Sequence, residues 1–178
     1  AAMRTLAEAK EDQRWSPADV LLLNAGYLEA IADEGMGNEA MALHDELGQA
    51  LAGQEPKLAL RIQLSRIAAA MRYGEPHTTK ALAEDALRRM DDLAINQGRA
   101  RMLQVCAIAE ERDGDLRESL RLFAQAADSA RASDDLNSLL ITLVNRTSAE
   151  ILAGQLSAAL ATTAEAMQLA KRLEHHRA

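Results

Sequence analysis

With 178 residues, 48% of them hydrophobic but only 2% aromatic, the chain can bury a core of Ala and Leu. These residues favour helices and close helix–helix contact, and Val and Ile are too scattered to suggest strands, so the composition indicates an all-α protein. A net charge of −7 excludes nucleic-acid binding by bulk electrostatics. The single cysteine, Cys106, excludes a disulfide framework or a multi-cysteine zinc site and fits a reducing compartment, with the cytoplasm as the expected location.

Taken in chain order, residues 1–14 carry Arg4, Glu8, Lys10, Glu11, Asp12 and Arg14. No apolar signal core can be drawn through them, and no later run reaches membrane-spanning length. Ser16-Pro17, with Asp19 three residues after the serine, is a capping-box start with proline at the first helical position, predicting a helix from Pro17 to about Glu34. Glu55-Pro56 opens the next, ending near Tyr73, and Asp134-Asp135 places acids at the start of a helix running to about Ala153. Between these stretches stand Gly35, Gly74, Gly114 and Gly154, spaced by 39, 40 and 40 residues. A fixed period of that size predicts stacked helical hairpins, none able to bury its apolar face alone. The expected repeats are 16–54, 55–95, 96–133 and 134–175, eight helices in a single 1–178 repeat domain. Residues 1–14 read as the second helix of a truncated preceding repeat, and His175, His176 and Arg177 fall at an expected turn. The pattern thus suggests a piece of a longer protein, with repeat ends open to end-to-end association with other copies.

Five residues after each glycine come Ala40, Thr79, Ser119 and Ala159; twelve after come Leu47, Ala86, Ala126 and Ala166. Columns of mostly small residues mark the seam where two helices of a hairpin cross. This pattern, clearest from Gly114 through Ser119 and Phe123 to Ala126, resembles the tetratricopeptide repeat (TPR). The period near 40 exceeds that family's 34, and its first-helix tryptophan, leucine-glycine and tyrosine slots are largely lost. The longer form is similar to the helical-repeat regions of bacterial signalling proteins, such as large transcriptional activators and diguanylate cyclases. The resemblance implies an α-solenoid, a right-handed superhelix whose first helices line a concave groove, and a module that binds protein partners.

Arg61 and Arg101 are one period apart, as are Arg72 and Arg112. The resemblance turns these slots, thirteen and two residues before the glycine, toward the groove. Planar, permanently charged guanidiniums there suit carboxylate or phosphate groups, implying an acidic peptide or helix as partner, or alternatively a small anion sensed by a regulatory domain. The carboxylate clamp of chaperone adaptors would need lysine and asparagine where this chain has Ala25 and Glu29, or Leu64 and Ala68, so that ligand is not expected.

No phosphate-binding loop, H-E-x-x-H or C-x-x-C is present, and the chain reads as a non-enzyme without cofactor or metal. His44, His77, His175 and His176 are expected at the surface. Cys106 reads as a buried, inert thiol. The acidic pairs Asp91-Asp92, Glu110-Glu111 and Asp134-Asp135 read as solvated helix ends and faces, and Trp15 as a hydrophobic staple.

Overall fold

The computed structural model describes residues 15–177, with side chains described as far as Glu174; the expected helix remnant in residues 1–14 lies outside the described residues. Among the described residues there are eight helices and no strand. They are α1 (Pro17–Asp33), α2 (Gly37–Gln49), α3 (Pro56–Tyr73), α4 (Pro76–Asp92), α5 (Arg99–Asp113), α6 (Leu116–Ala132), α7 (Leu136–Leu152) and α8 (Leu156–Arg177). The chain divides into two compact units, residues 1–89 and 90–178.

Helix starts follow the cap chemistry. Ser16 Oγ accepts the Asp19 N–H at 3.2 Å while the Asp19 carboxylate accepts the Ser16 N–H at 3.1 Å, closing a capping box. The Ser16 hydroxyl, donating to Asp19 Oδ2 at 2.6 Å, and then the Ser16 N–H hold the Asp19 carboxyl below its ordinary pKa. Glu55, Asp115 and Asp135 accept the N–H of Leu58, Glu118 and Ser138 at 3.0 Å each. Each cap satisfies one otherwise orphaned donor and is worth about 1 kcal/mol. Trp15, just before the first cap, is exposed.

The four turn glycines act in two ways. Gly35, Gly114 and Gly154 have φ of +84°, +87° and +72°. Each is the left-handed residue of a Schellman turn, as in Asp115 N–H to Glu110 O at 2.9 Å. Gly74 instead is extended, with φ −85° and ψ 166°, because Pro76 opens α4 only two residues later and leaves no room for a left-handed turn. It is needed for a different reason: a Cβ there would lie 2.8 Å from the Ala70 carbonyl oxygen. A second series of left-handed turns links one hairpin to the next at Gly53, Ala94 and Asp134, with φ of +76°, +53° and +52°. Left-handed backbone costs an L-residue roughly 1–2 kcal/mol, partly offset by the lower unfolded-state entropy of alanine. Ala94→Gly is therefore expected to raise stability by about 0.5–1 kcal/mol and Gly114→Ala to lower it by a similar amount, read as opposite shifts in the urea midpoint.

In the first unit α1 packs on α2 and α3, and α2 on α3, around Ala25, Leu28, Ile31, Ala32, Ala40, Leu47, Ile62 and Ala69. Tyr73 fastens α3 to this hairpin, its hydroxyl donating to the Ala32 carbonyl at 2.9 Å. Its ring fills the space beside Gly37, where a Cβ would come within 3.0 Å. In the second unit α5 packs on α6 and α7, α6 on α7, and α7 on α8, around Ala100, Ala127, Ala130, Leu139, Leu143, Ala166 and Leu169. All eight members of the two seam columns are buried. Cys106 is buried within α5, as expected of an inert thiol.

Among the histidines, the surface expectation holds for His77 and fails for His44, which is 4% exposed on the inner face of α2. Its Nδ1 faces Asp45 Oδ1 at 3.0 Å, and its Nε2 is buried without a partner. Arg66 donates from Nε to the His44 carbonyl oxygen at 2.9 Å and lies across Gly48, which places a cation near the ring. Burial first, then the nearby Arg66 charge, push the His44 imidazole below 6.5 despite the opposing hydrogen bond and charge of Asp45. The neutral ring is thus favoured in the folded state, so the unfolded chain takes up the proton first. Stability from this site is full above about pH 6.5 and is lost as pH falls toward the lower folded value. Thermal melts from pH 7.5 to 5.5 should show a fall in Tm that His44→Gln reduces. The side chains of His175 and His176 lie outside the described residues, but the turn expected there is absent: α8 continues to Arg177, through helix-favouring Lys171, Arg172, Leu173 and Glu174 with no glycine to end it.

Candidate interaction surface

Each first helix carries exposed residues as well as the buried ones that face its core. On α3, Arg61 and Arg72 are both exposed. Eleven residues are close to three helical turns, so the two guanidinium stems leave α3 on one face, about 16 Å apart along its axis. Arg101 and Arg112 repeat this arrangement on α5, both exposed. The structure thus gives each unit one same-face arginine pair.

The four differ in their neighbours. Arg72 Nη2 lies 2.7 Å from Asp33 Oδ1, an exposed pair between α3 and α1, worth about 0–1 kcal/mol. Among the described residues Arg61, Arg101 and Arg112 form no ion pair. Several other arginines are ion-paired. Arg88 and Arg89 reach Asp85, Arg121 reaches Glu118, and Arg131 bridges Asp128 and Glu165. Burial resists ionisation of Asp85, but hydrogen bonds from Arg89, Gln63 and Arg88 outweigh it and keep its carboxyl below the ordinary value.

Each column is interrupted in the outer repeats. The slot thirteen before the glycine holds Leu22, Arg61, Arg101 and Ile141; the slot two before holds Asp33, Arg72, Arg112 and Leu152. Arginine occupies only the two middle repeats. The slots corresponding to a carboxylate clamp offer no such chemistry: Ala25 is buried in the first core, and Glu29 accepts a hydrogen bond from Ser65 Oγ at 2.6 Å.

Polar groups inside the helices serve packing. Gln63 Nε2 donates to the Leu82 carbonyl and to Asp85 at 2.9 and 3.0 Å. Gln104 Nε2 donates to the Ser138 carbonyl at 3.0 Å and to Thr142 Oγ1 at 2.6 Å. Both amides are buried, and they tie α3 to α4 and α5 to α7. Among the described residues no group of three His, Cys, Asp or Glu side chains could hold a metal ion, and no helix is long and apolar enough to cross a membrane.

No protein-family model matches the chain, and no curated protein matches it in sequence. Solved structures do resemble it. Aspartyl phosphate phosphatase F from Bacillus subtilis superposes with a TM-score of 0.78 at 11% identity, over 90% of this chain and 42% of the phosphatase. A kinesin light chain with nearly identical TPR-like repeats from Podospora anserina gives 0.55 at 14% identity, over 90% of this chain and 99% of the other. The fold is TPR-like. BtubC from P. vanneervenii gives 0.59 at 14% identity, over 97% and 89% of the two chains. This chain therefore spans well under half of the phosphatase, whose length includes much that has no counterpart here. At these identities the likeness establishes an all-α solenoid of helical hairpins with a TPR-like arrangement, and the chemistry of any site must come from this chain's own residues.

Proposed function

We propose that this chain is a non-catalytic protein-interaction module of a bacterial regulatory or signalling protein, working in the cytoplasm. It takes an acidic peptide or helix along the outward face of a middle first helix, α3 or α5. The observation that carries this reading is the set of exposed arginines at period-equivalent places, of which Arg61, Arg101 and Arg112 are free of ion pairs among the described residues on an otherwise acidic protein. Guanidiniums without a carboxylate partner keep their donors available for charge-assisted hydrogen bonds to a ligand. The spacing favours a peptide over the alternative, a small anion. Two stems about 16 Å apart on one helix exceed the reach of a single small anion but match roughly five residues of extended chain.

The test uses a fluorescein-labelled polyglutamate peptide and fluorescence anisotropy at several salt concentrations. The unmodified chain should bind with an affinity that falls as salt rises. Arg101→Ala with Arg112→Ala should weaken binding by about tenfold or more and flatten the salt dependence, since each charge-assisted bond contributes up to about 1.5–3 kcal/mol. Arg61→Ala with Arg72→Ala should cost less, because Asp33 already engages Arg72. Equal affinity for all three proteins, with helix content intact by circular dichroism, would remove the arginines from recognition.

A further inference from the structure

Two apolar residues of α7 occupy slots that stay open even where a further helix follows. Ile141 and Leu152, thirteen and two residues before Gly154, are 53% and 62% exposed. Their equivalents one repeat earlier, Arg101 and Arg112 of α5, remain exposed although α7 packs on α5. The exposure of Ile141 and Leu152 therefore belongs to the slots themselves. Val144 differs, because its equivalent Gln104 is buried and donates to Ser138 and Thr142 of α7.

These slots belong to a row on each helix. On α5 the row is Arg101, Ile108 and Arg112, the arginines exposed and Ile108 half-buried. On α7 it is Asn137, Ile141, Asn145, Ser148 and Leu152, all exposed or half-buried. Steps of three, four or seven residues keep each row on one helix face. The α7 row carries no charge, while the two guanidiniums of the α5 row form no ion pair among the described residues. The carboxylates next to Arg112 in sequence, Glu111 and Asp113, leave α5 about 100° to either side of it. The rows lie side by side in one compact unit: α5 and α7 run the same way, each antiparallel to α6, and the Gln104 amide joins them.

We infer that the two rows form one docking surface for an amphipathic α-helix of a partner protein, with an acidic row on Arg101 and Arg112 and an adjacent apolar row on Ile141 and Leu152. Charge complementarity selects the acidic row, because unpaired guanidiniums offer charge-assisted donors to carboxylates. The uncharged α7 row selects the apolar one: a carboxylate laid on Ile141 or Leu152 would lose water without gaining a partner. Geometry selects a helix. Adjacent rows on a helix stand about 100° apart, roughly 8 Å at the side-chain surface, close to the about 8–10 Å between packed helices such as α5 and α7. An extended strand sends alternate side chains to opposite faces and offers a surface a single row. The inference rests on the reading that Arg101 and Arg112 take acidic side chains, and it adds the helical form and the apolar row of the partner.

Fluorescence anisotropy with two further labelled probes, beside the polyglutamate peptide, reads the result. One is an alanine-based helix of about eighteen residues with glutamates in one row and leucines in the adjacent row. The other is the same sequence with two central alanines changed to proline, which breaks the helix. The intact helix should bind about tenfold tighter than the broken one. Ile141→Ser with Leu152→Ser, both at exposed sites, should remove most of that advantage and leave polyglutamate affinity unchanged, with helix content intact by circular dichroism. Arg101→Ala with Arg112→Ala should weaken all three probes. Equal binding of intact and broken helices, with polyglutamate still held by the arginines, would overturn the helical partner and leave the acidic-ligand reading standing. An advantage that survives the serine substitutions would overturn it as well, by taking the apolar row off α7. Failure of every probe to bind would overturn the acidic-ligand reading and this inference with it.

Discussion

Phe123→Ala should destabilise the second unit by about 3–5 kcal/mol, the range for removing a fully buried aromatic from a packed core. Phe123 is the only phenylalanine in the chain and is 0% exposed. It lies on the inner face of α6 with Ser119, Leu122, Ala126, Ala127 and Ala130, a set in which every other residue but Leu122 is small. Alanines and serine have no spare side-chain length with which to refill the void, so relaxation can recover little of the lost contact. The loss is a large share of the 5–15 kcal/mol that holds a domain folded. Urea unfolding followed by circular dichroism would measure it, and a loss below about 1 kcal/mol would mean that the phenylalanine slot is only loosely packed.

Much of this fold is legible before any coordinates because its cues are local. Ser16 with Asp19, Glu55 with Leu58 and Asp135 with Ser138 involve residues three apart, so cap chemistry can be read from a short window. The seam columns are legible because the period repeats the same crossing four times, and Ala126 or Ser119 in one repeat is checked by its equivalents in the others. What escaped depends on context beyond the window. Ala94 and Asp134 adopt the left-handed turn with side chains that do not announce it. Gly74 matches the period yet serves close packing against Ala70 instead of a left-handed turn. His44 is buried because its face of α2 turns inward, and the sequence around it, with Asp45 and Glu46 following, reads as surface. The candidate surface was half legible. The periodicity marks Arg61, Arg72, Arg101 and Arg112, and all four are exposed, but only the structure shows that Arg72 is engaged by Asp33. In the last repeat Ile141 and Leu152 occupy the arginine slots, and exposed Val144 stands one period after the buried amide Gln104.

Ala126→Leu should cost about 1–3 kcal/mol, by the opposite mechanism to the loss of Phe123. Ala126 is 0% exposed and stands seven residues, two turns, after Ser119 on the same inward face of α6. A branched four-carbon side chain there must push α6 away from its neighbours or take a strained rotamer, since the interior has no void of that size to offer. Ala86, also 0% exposed, is the equivalent residue of α4, and Ala86→Leu provides the matched change in the preceding repeat. The column does contain one leucine, Leu47, fully buried in the first hairpin. The slot is therefore not closed to leucine by backbone geometry, and any penalty at 86 and 126 comes from the side chains packed around those two positions. This gives the experiment its internal standard. Leu47→Ala should destabilise by opening a cavity, by about 2–5 kcal/mol, while Ala126→Leu and Ala86→Leu destabilise by overfilling one. If both leucine variants melt with the parent, the hairpins cross less closely than the seam requires, and the columns record helix propensity instead of packing.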